Sequence, residues 1–234
     1  IAAYRFVNGE PYDQYSTLIN PGISIPKNIV EITSITDEMV ADAPYIEDTL
    51  HDLIKFIGQS PIVGHNIDFD YNFISNNCAA SDITFPKISM YDTLSLARTF
   101  IYFHTSFSLT SLCDYYNISI KQAHRAGADA LATGILFRYL LQEVLSRPLT
   151  LIQQMDAICS ASDQIYNHQL FSNILKVAVS MNTVDGLMNS VFDYTSPNNI
   201  FGLDALPGDN QLPDFPVAWF ADVGLINPNW KNYE

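Results

Sequence analysis

The sequence is poor in positive charge. Only 11 Lys and Arg stand against 25 Asp and Glu, a formal net charge of −14 over 234 residues, and the pI lies near 4.4. Proteins that coat duplex nucleic acid without specificity use dense Lys/Arg coverage, so that class is excluded. An enzyme that grips one end of a nucleic acid through metal ions is not. Cysteine is scarce too: Cys78, Cys113 and Cys159 are odd in number, widely spaced and contain no C-x-x-C pair. That excludes a disulfide framework or a structural zinc site and predicts buried free thiols in a reducing cytoplasm. No run of about 18 apolar residues exists, so no membrane span is expected. No signal peptide is visible in a chain whose first residue is Ile.

What is plentiful is apolar surface. Hydrophobic residues make up 48% of the chain and charged ones 15%, enough for a buried core and unlike a disordered composition. The length suits one good-sized domain, or a domain with an appendage. Charge divides the chain near Pro148. Nine Lys/Arg face 16 Asp/Glu up to residue 148, whereas only Lys176 and Lys231 face nine acids after it, with no Arg. Turn clusters such as Ser196-Pro197-Asn198-Asn199 and Leu206-Pro207-Gly208-Asp209-Asn210 punctuate the second part. The reading is a compact domain over 1–148 and a smaller acidic region, 149–234, of unassigned fold. That region is too poor in basic residues for nucleic acid, and its default role is to hold a protein partner.

Within 1–148, strands and helices interleave. Residues 1–7 and 12–19, parted by Asn8-Gly9, predict a β-hairpin. Thr36 caps a short helix beginning Asp37-Glu38, and Pro44 opens another that ends at Gly58. Pro61 to Gly64 reads as a short strand, 68–77 as helix, 88–91 as strand, and 92–100 and 108–116 as helices. A long helix fits 126–145, with Ala128, Leu131, Ala132, Ile135 and Tyr139 on one face. The pattern predicts an α/β fold with a mixed sheet.

Two polar clusters sit at element boundaries. Gly64-His65-Asn66-Ile67-Asp68-Phe69-Asp70-Tyr71-Asn72-Phe73-Ile74 follows a strand end, where open α/β sheets place their ligand crevices. His124-Arg125-Ala126-Gly127-Ala128-Asp129 leads into the long helix. Residues five apart on a helix are rotated by about 140°, so His124 and Asp129 converge only if His124 lies in the preceding loop. Gly127 and its Ala neighbours would let a substrate backbone come close. Each piece has a plain structural alternative: Asp129 serves the helix dipole, His65-Asn66 caps a helix, and Asp68 is solvated or capping. His51, His104 and His168 have no partner in sequence.

Taken in order, the clusters resemble the DEDD exonucleases of the histidine subtype, the family of the epsilon proofreading subunit of bacterial DNA polymerase III. Residues His65 to Ile74 match the family's H-N-x-x-F-D-x-x-F-L motif, and His124 to Thr133 match H-x-A-x-x-D-A-x-A-T. The resemblance covers residues 1 to about 145. It implies a ribonuclease H-like mixed sheet flanked by helices. It also implies Asp70 and Asp129 as catalytic, metal-binding acids, with His124 as general base. His65, Asn66, Phe69, Ile35 and Thr36 become substrate contacts, and Tyr91-Asp92-Thr93-Leu94 corresponds to a D-T-L strand end. The implied activity is 3′→5′ hydrolysis of single-stranded or frayed nucleic acid, DNA favoured, releasing nucleoside 5′-monophosphates. Two Mg²⁺ or Mn²⁺ ions are implied, as in two-metal phosphodiester hydrolysis, with carboxylates gathering the ions and a near-neutral histidine taking a proton. Such ions would also reconcile an acidic protein with a polyanion.

One departure stands out. The family's D-x-E motif on its first strand is absent, and Ile1-Ala2-Ala3-Tyr4 corresponds to the second strand. The central strand and its two acids are therefore expected upstream of Ile1. The alternative is a catalytically inactive exonuclease fold that serves as a protein-interaction module.

Overall fold

The computed structural model describes residues 1–101, 103–120, 125–162, 166–181 and 217–220. Strand β1 (Ala2–Val7) turns at Asn8 and Gly9 into the antiparallel β2 (Glu10–Ser16). Both turn residues have positive φ, 53° and 77°, the combination whose twist matches paired strands. Helix α1 (Lys27–Thr33) was not expected: it buries only Ile29 and Thr33, too little for an apolar stripe to show in sequence. Helices α2 (Asp37–Val40) and α3 (Ile46–Ile57) follow, and α3 ends at Gly58 with φ 61°.

The expected alternation then holds closely. Strand β3 (Ile62–Gly64) leads into α4 (Ile67–Ala80), and β4 (Met90–Asp92) into α5 (Thr93–Phe100). After these come α6 (Leu109–Tyr115), the long α7 (Ala126–Leu145), α8 (Leu149–Ala161), α9 (His168–Met181) and β5 (Val217–Phe220).

The sheet order is β2-β1-β5-β3-β4. Strands β3 and β4 are parallel, and β5 is parallel to β3 but antiparallel to β1. Successive residues of a strand face opposite sides, and the core follows that rule. Ile62 joins Leu50, Leu53 and Ile57 of α3 and Ile74 of α4 on one face. Val63 joins Leu136 and Leu140 of α7 on the other. The architecture is a mixed sheet between helices, the ribonuclease H-like arrangement expected from the sequence.

Two features differ from the sequence reading. The centre of the sheet is occupied by residues 217–220, where the sequence placed a strand upstream of Ile1. Periodicity cannot reveal this, because Val217-Ala218-Trp219-Phe220 is one short apolar run among several aromatics and both its partner strands, β1 and β3, are more than 150 residues away in sequence. The core also does not divide at Pro148. Ile152 of α8 and Leu170, Phe171 and Ile174 of α9 belong to the same buried cluster as α5, α6 and α7. Composition changed at Pro148 because charge did, and charge lies on the surface.

Among the described residues, no helix is long and apolar enough to cross a membrane. All three cysteines are free, with Cys78 and Cys113 buried and Cys159 partly so.

Candidate active site

The first polar cluster is held by Asp92. Gly64 closes a tight turn, since a Cβ there would lie 2.8 Å from that of Ile67. Asn66 takes the left-handed conformation at the N-cap of α4, with φ 66°, which Asn tolerates better than most residues. The Asp92 carboxylate accepts the backbone N–H groups of Asn66 (2.7 Å) and Ile67 (3.3 Å) through Oδ1, and that of Ser95 (2.9 Å) through Oδ2. One acid thus satisfies the first turns of both α4 and α5, whose orphan donors need a partner. The Asn167 side chain accepts the Asp92 N–H at 2.9 Å and donates to the Asp92 carbonyl at 3.2 Å and to Ser95 Oγ at 2.7 Å. Sequence reasoning saw the D-T-L strand end but had no signal for Asn167, 75 residues away.

His65 is committed to the protein. Its Nε2 lies 2.9 Å from the Phe107 carbonyl, which only accepts, so that nitrogen carries the proton. Its Nδ1 lies 2.9 Å from Thr93 Oγ1, and that hydroxyl is also 3.0 Å from the Gly64 carbonyl. Neither ring nitrogen is left for a ligand. Burial lowers the pKa from the ordinary 6.5, against the opposing charge of Asp92. A His with a depressed folded-state pKa stabilises the fold fully above pH 6.5, and that contribution is lost as pH falls through the folded value. Urea melts from pH 8 to pH 5 are therefore expected to fall less steeply in His65→Gln than in the parent. Equal slopes would mean that His65 is not the group being titrated.

Asp70 lies in the first turn of α4 and Asp129 in the first turn of α7. An acid placed there only to complement the helix dipole sits in water, yet these two are 3% and 5% exposed. Their helices wall the same cleft. Phe73, one turn beyond Asp70, lines it, as do Arg125, Ala126 and Gly127 at the start of α7. The cleft has a volume of about 180 Å³. It is mainly apolar, through Leu18, Ile19, Ile23, Ile25, Ile35 and Val40, and Arg125 is its one charged side chain among the described lining residues. Arg125 also donates to the Thr33 carbonyl at 3.5 Å. His124 lies outside the described residues.

The other candidates scatter. Ile35 is in the cleft wall. Thr36 instead bonds Glu38, holding that carboxyl below its usual range. Asn66 is exposed at its N-cap, and Phe69 is 38% exposed beside Asp70. Asp68 accepts from the Tyr166 hydroxyl. Asp37, read as a dipole acid, also accepts Ser24 Oγ (2.5 Å) and the Ile25 N–H (2.7 Å), which fixes one wall of the cleft.

Gly127 is free of steric need. An added Cβ would meet only the Ala2 side chain, at an ordinary 4.0 Å. Gly127→Ala is therefore expected to leave the melting temperature unchanged or raise it, by about 0.5 kcal/mol of helix propensity. If the bare backbone admits substrate, the same change costs tenfold or so in kcat/KM by shifting the substrate from its reacting position. Unchanged kinetics would assign Gly127 to packing alone.

A sequence model described as Exonuclease, of the RNase_T family, matches residues 1–137. DNA polymerase III PolC-type of Oceanobacillus iheyensis is 33% identical over 150 residues, which covers 64% of this chain and 10% of the relative. The PolC-type polymerase of Clostridium perfringens is 34% identical over 144 residues, covering 62% and 10%. The chain thus spans about a tenth of the length of these curated relatives. Among solved structures, exonuclease X in complex with 5′ overhanging duplex DNA aligns with a TM-score of 0.48 at 25% identity, covering 60% of this chain and 80% of that one. With the family match extending over more than half of its residues, from the hairpin into α7, the chain belongs to the exonuclease family.

Proposed function

We propose that the protein is a metal-dependent 3′→5′ exonuclease acting on single-stranded or frayed nucleic acid, DNA in preference to RNA, and releasing nucleoside 5′-monophosphates. The observation that carries this reading is the pair of buried acids, Asp70 and Asp129, in the first turns of two helices that wall one cleft. The apolar wall, Ile35 and Phe73 included, suits the flat face of a terminal base. Phe69, exposed beside Asp70, offers a ring for stacking. Arg125 lies where a phosphate would need a cation.

The donors suit Mg²⁺ or Mn²⁺, since hard cations take carboxylate oxygens and keep water and substrate oxygens in their remaining positions. Asp70 and Asp129 would hold the ions. Among the described residues, however, no group of three or more His, Cys, Asp or Glu side chains is close enough to form a cage. When bound, the metal would lower the pKa of the attacking water and neutralise charge on the leaving oxygen. His124, by its motif, would take the proton from that water. The apolar cleft would hold the terminal base so that the scissile phosphate meets both acids.

The test uses the full chain with a 5′-labelled oligonucleotide and Mg²⁺ or Mn²⁺. The expected result is stepwise shortening from the 3′ end, stopped by EDTA and by His124→Ala. An intact oligonucleotide would leave the inactive fold, with 149–234 as a partner surface, as the surviving reading.

A further inference from the structure

We propose that Tyr166 and Asn167 are positioning residues for the reaction: together they grip the edge of the sheet and fix the first turn of α4, and with it the angle at which Asp70 is presented. The proposal rests on the functional reading above. Both residues lie beyond residues 1–137, which match the family, in the connection that leads into α9.

The grip begins at a strand edge. Strand β4 ends the sheet on its side, and an outer strand presents N–H and C=O groups that need partners. Asn167 supplies them. Its backbone N–H donates to the Met90 carbonyl at 3.2 Å. Its side chain accepts the Asp92 N–H at 2.9 Å and donates to the Asp92 carbonyl at 3.2 Å. One residue thus takes the place that a further strand would fill. It does so at φ 66°, a conformation that Asn adopts more readily than most residues, and it is buried.

The chain here crosses from one face of the sheet to the other. Tyr166 packs against the cluster formed by α3 and α4. Leu170, Phe171 and Ile174 of α9 are buried on the opposite face, in the cluster shared with α5, α6 and α7. Apolar contacts on both faces therefore anchor 166–167, and α4 is set against a fixed point.

Two connections run from that point to α4. Asn167 fixes the backbone of Asp92, whose carboxylate accepts the N–H groups of Asn66 and Ile67 and so determines where the helix starts. The Tyr166 hydroxyl donates to Asp68 Oδ1, and this determines how the helix is rolled. Residues two apart on an α-helix project about 200° apart, so Asp68 and Asp70 leave nearly opposite sides of the first turn. Their exposure agrees: Asp68 is exposed and Asp70 buried. A bond to Asp68 on the outer side resists the rotation that would swing Asp70 out of place. Start and roll are both set by adjacent residues of one segment, the support that a side chain with a strict geometric task requires.

The test compares Tyr166→Phe and Asn167→Gly in the full chain. The first removes one hydroxyl and keeps the ring; the second removes the side-chain amide and keeps a residue at ease with positive φ. With Mn²⁺ and a 5′-labelled oligonucleotide, well below the melting temperature, kcat is expected to fall about tenfold in each variant while KM stays within about twofold. A lower melting temperature with parental kcat would assign both residues to stability alone and overturn the proposal. Hydrogen exchange followed by NMR reads the same device without activity. The Asn66 and Ile67 amides are expected to exchange about tenfold faster in both variants, and parental rates at those amides would overturn the proposal. If Asn167→Gly fails to fold, Tyr166→Phe decides through the same two readouts. Failure of the functional reading looks different: faster exchange at Asn66 and Ile67 in the variants, with no oligonucleotide shortening by the parent.

Discussion

Asp129→Asn is expected to fold, to melt within a few degrees of the parent, and to cleave a labelled oligonucleotide about a thousandfold more slowly. The fold tolerates the change because Asn keeps the size and shape of Asp. Its amide cannot supply the negative charge that gathers a divalent ion. Losing that charge forfeits several kcal/mol of transition-state stabilisation, and each 1.36 kcal/mol is tenfold in rate. Burial makes the prediction sharp: Asp129 is 5% exposed, so no solvent ion readily takes over. Asp70→Asn should behave similarly. Activity within tenfold of the parent in both variants would remove these acids from the chemistry and leave them as buried structural groups.

Asp92→Ala has the opposite signature, a large loss of stability from a residue with no assigned part in the reaction. Three backbone N–H groups, of Asn66, Ile67 and Ser95, lose their acceptor, and Asp92 is 8% exposed. Hydrogen bonds to a charged group contribute about 1.5–3 kcal/mol each, and stranded buried donors cost about 1–3 kcal/mol. Allowing for partial access of water at a helix terminus, the expected loss is about 3–4 kcal/mol by urea denaturation. Asp92→Asn should recover part of it, because one side-chain oxygen remains. Near-parental stability in the Ala variant would show that water replaces the carboxylate at both helix ends.

Much of this molecule was legible because its strongest signals are local. The bounds of α7 were readable, though not its buried face: Ala128, Leu131, Ile135 and Tyr139 are only partly buried, and Leu136, Phe137 and Leu140 fill the core instead. The hairpin was readable from Asn8-Gly9. Asp70 and Asp129 were singled out by motif order, and their burial separates them from ordinary dipole acids. What stayed hidden is non-local. The Asn167 side chain bonds only to distant residues, Asp92 and Ser95, so its role exists only once the start of α9 has packed beside β4. The apolar cleft is assembled from the end of β2 and the loop after it, from Ile35 and Val40, from Phe73 of α4 and from the start of α7, none of which marks its share. His65 was read as a substrate contact from its motif, yet both ring nitrogens are taken by Thr93 and Phe107. Motif position indicates where a residue lies, and only the surrounding structure shows which of its atoms remain available.

The central place of β5 also sets the order in which the protein can form. Its partners are β1, at the opposite end of the chain, and β3. Local hairpins and helices close early and cheaply, whereas contacts of such high sequence separation must first meet the entropy of a very large loop. On the ribosome, β1 and β3 wait with exposed flanking edges until residues 217–220 have been made. During that interval, α7 has only part of its sheet to pack on. The nascent chain is thus open to wrong strand partners until β5 can pair with both.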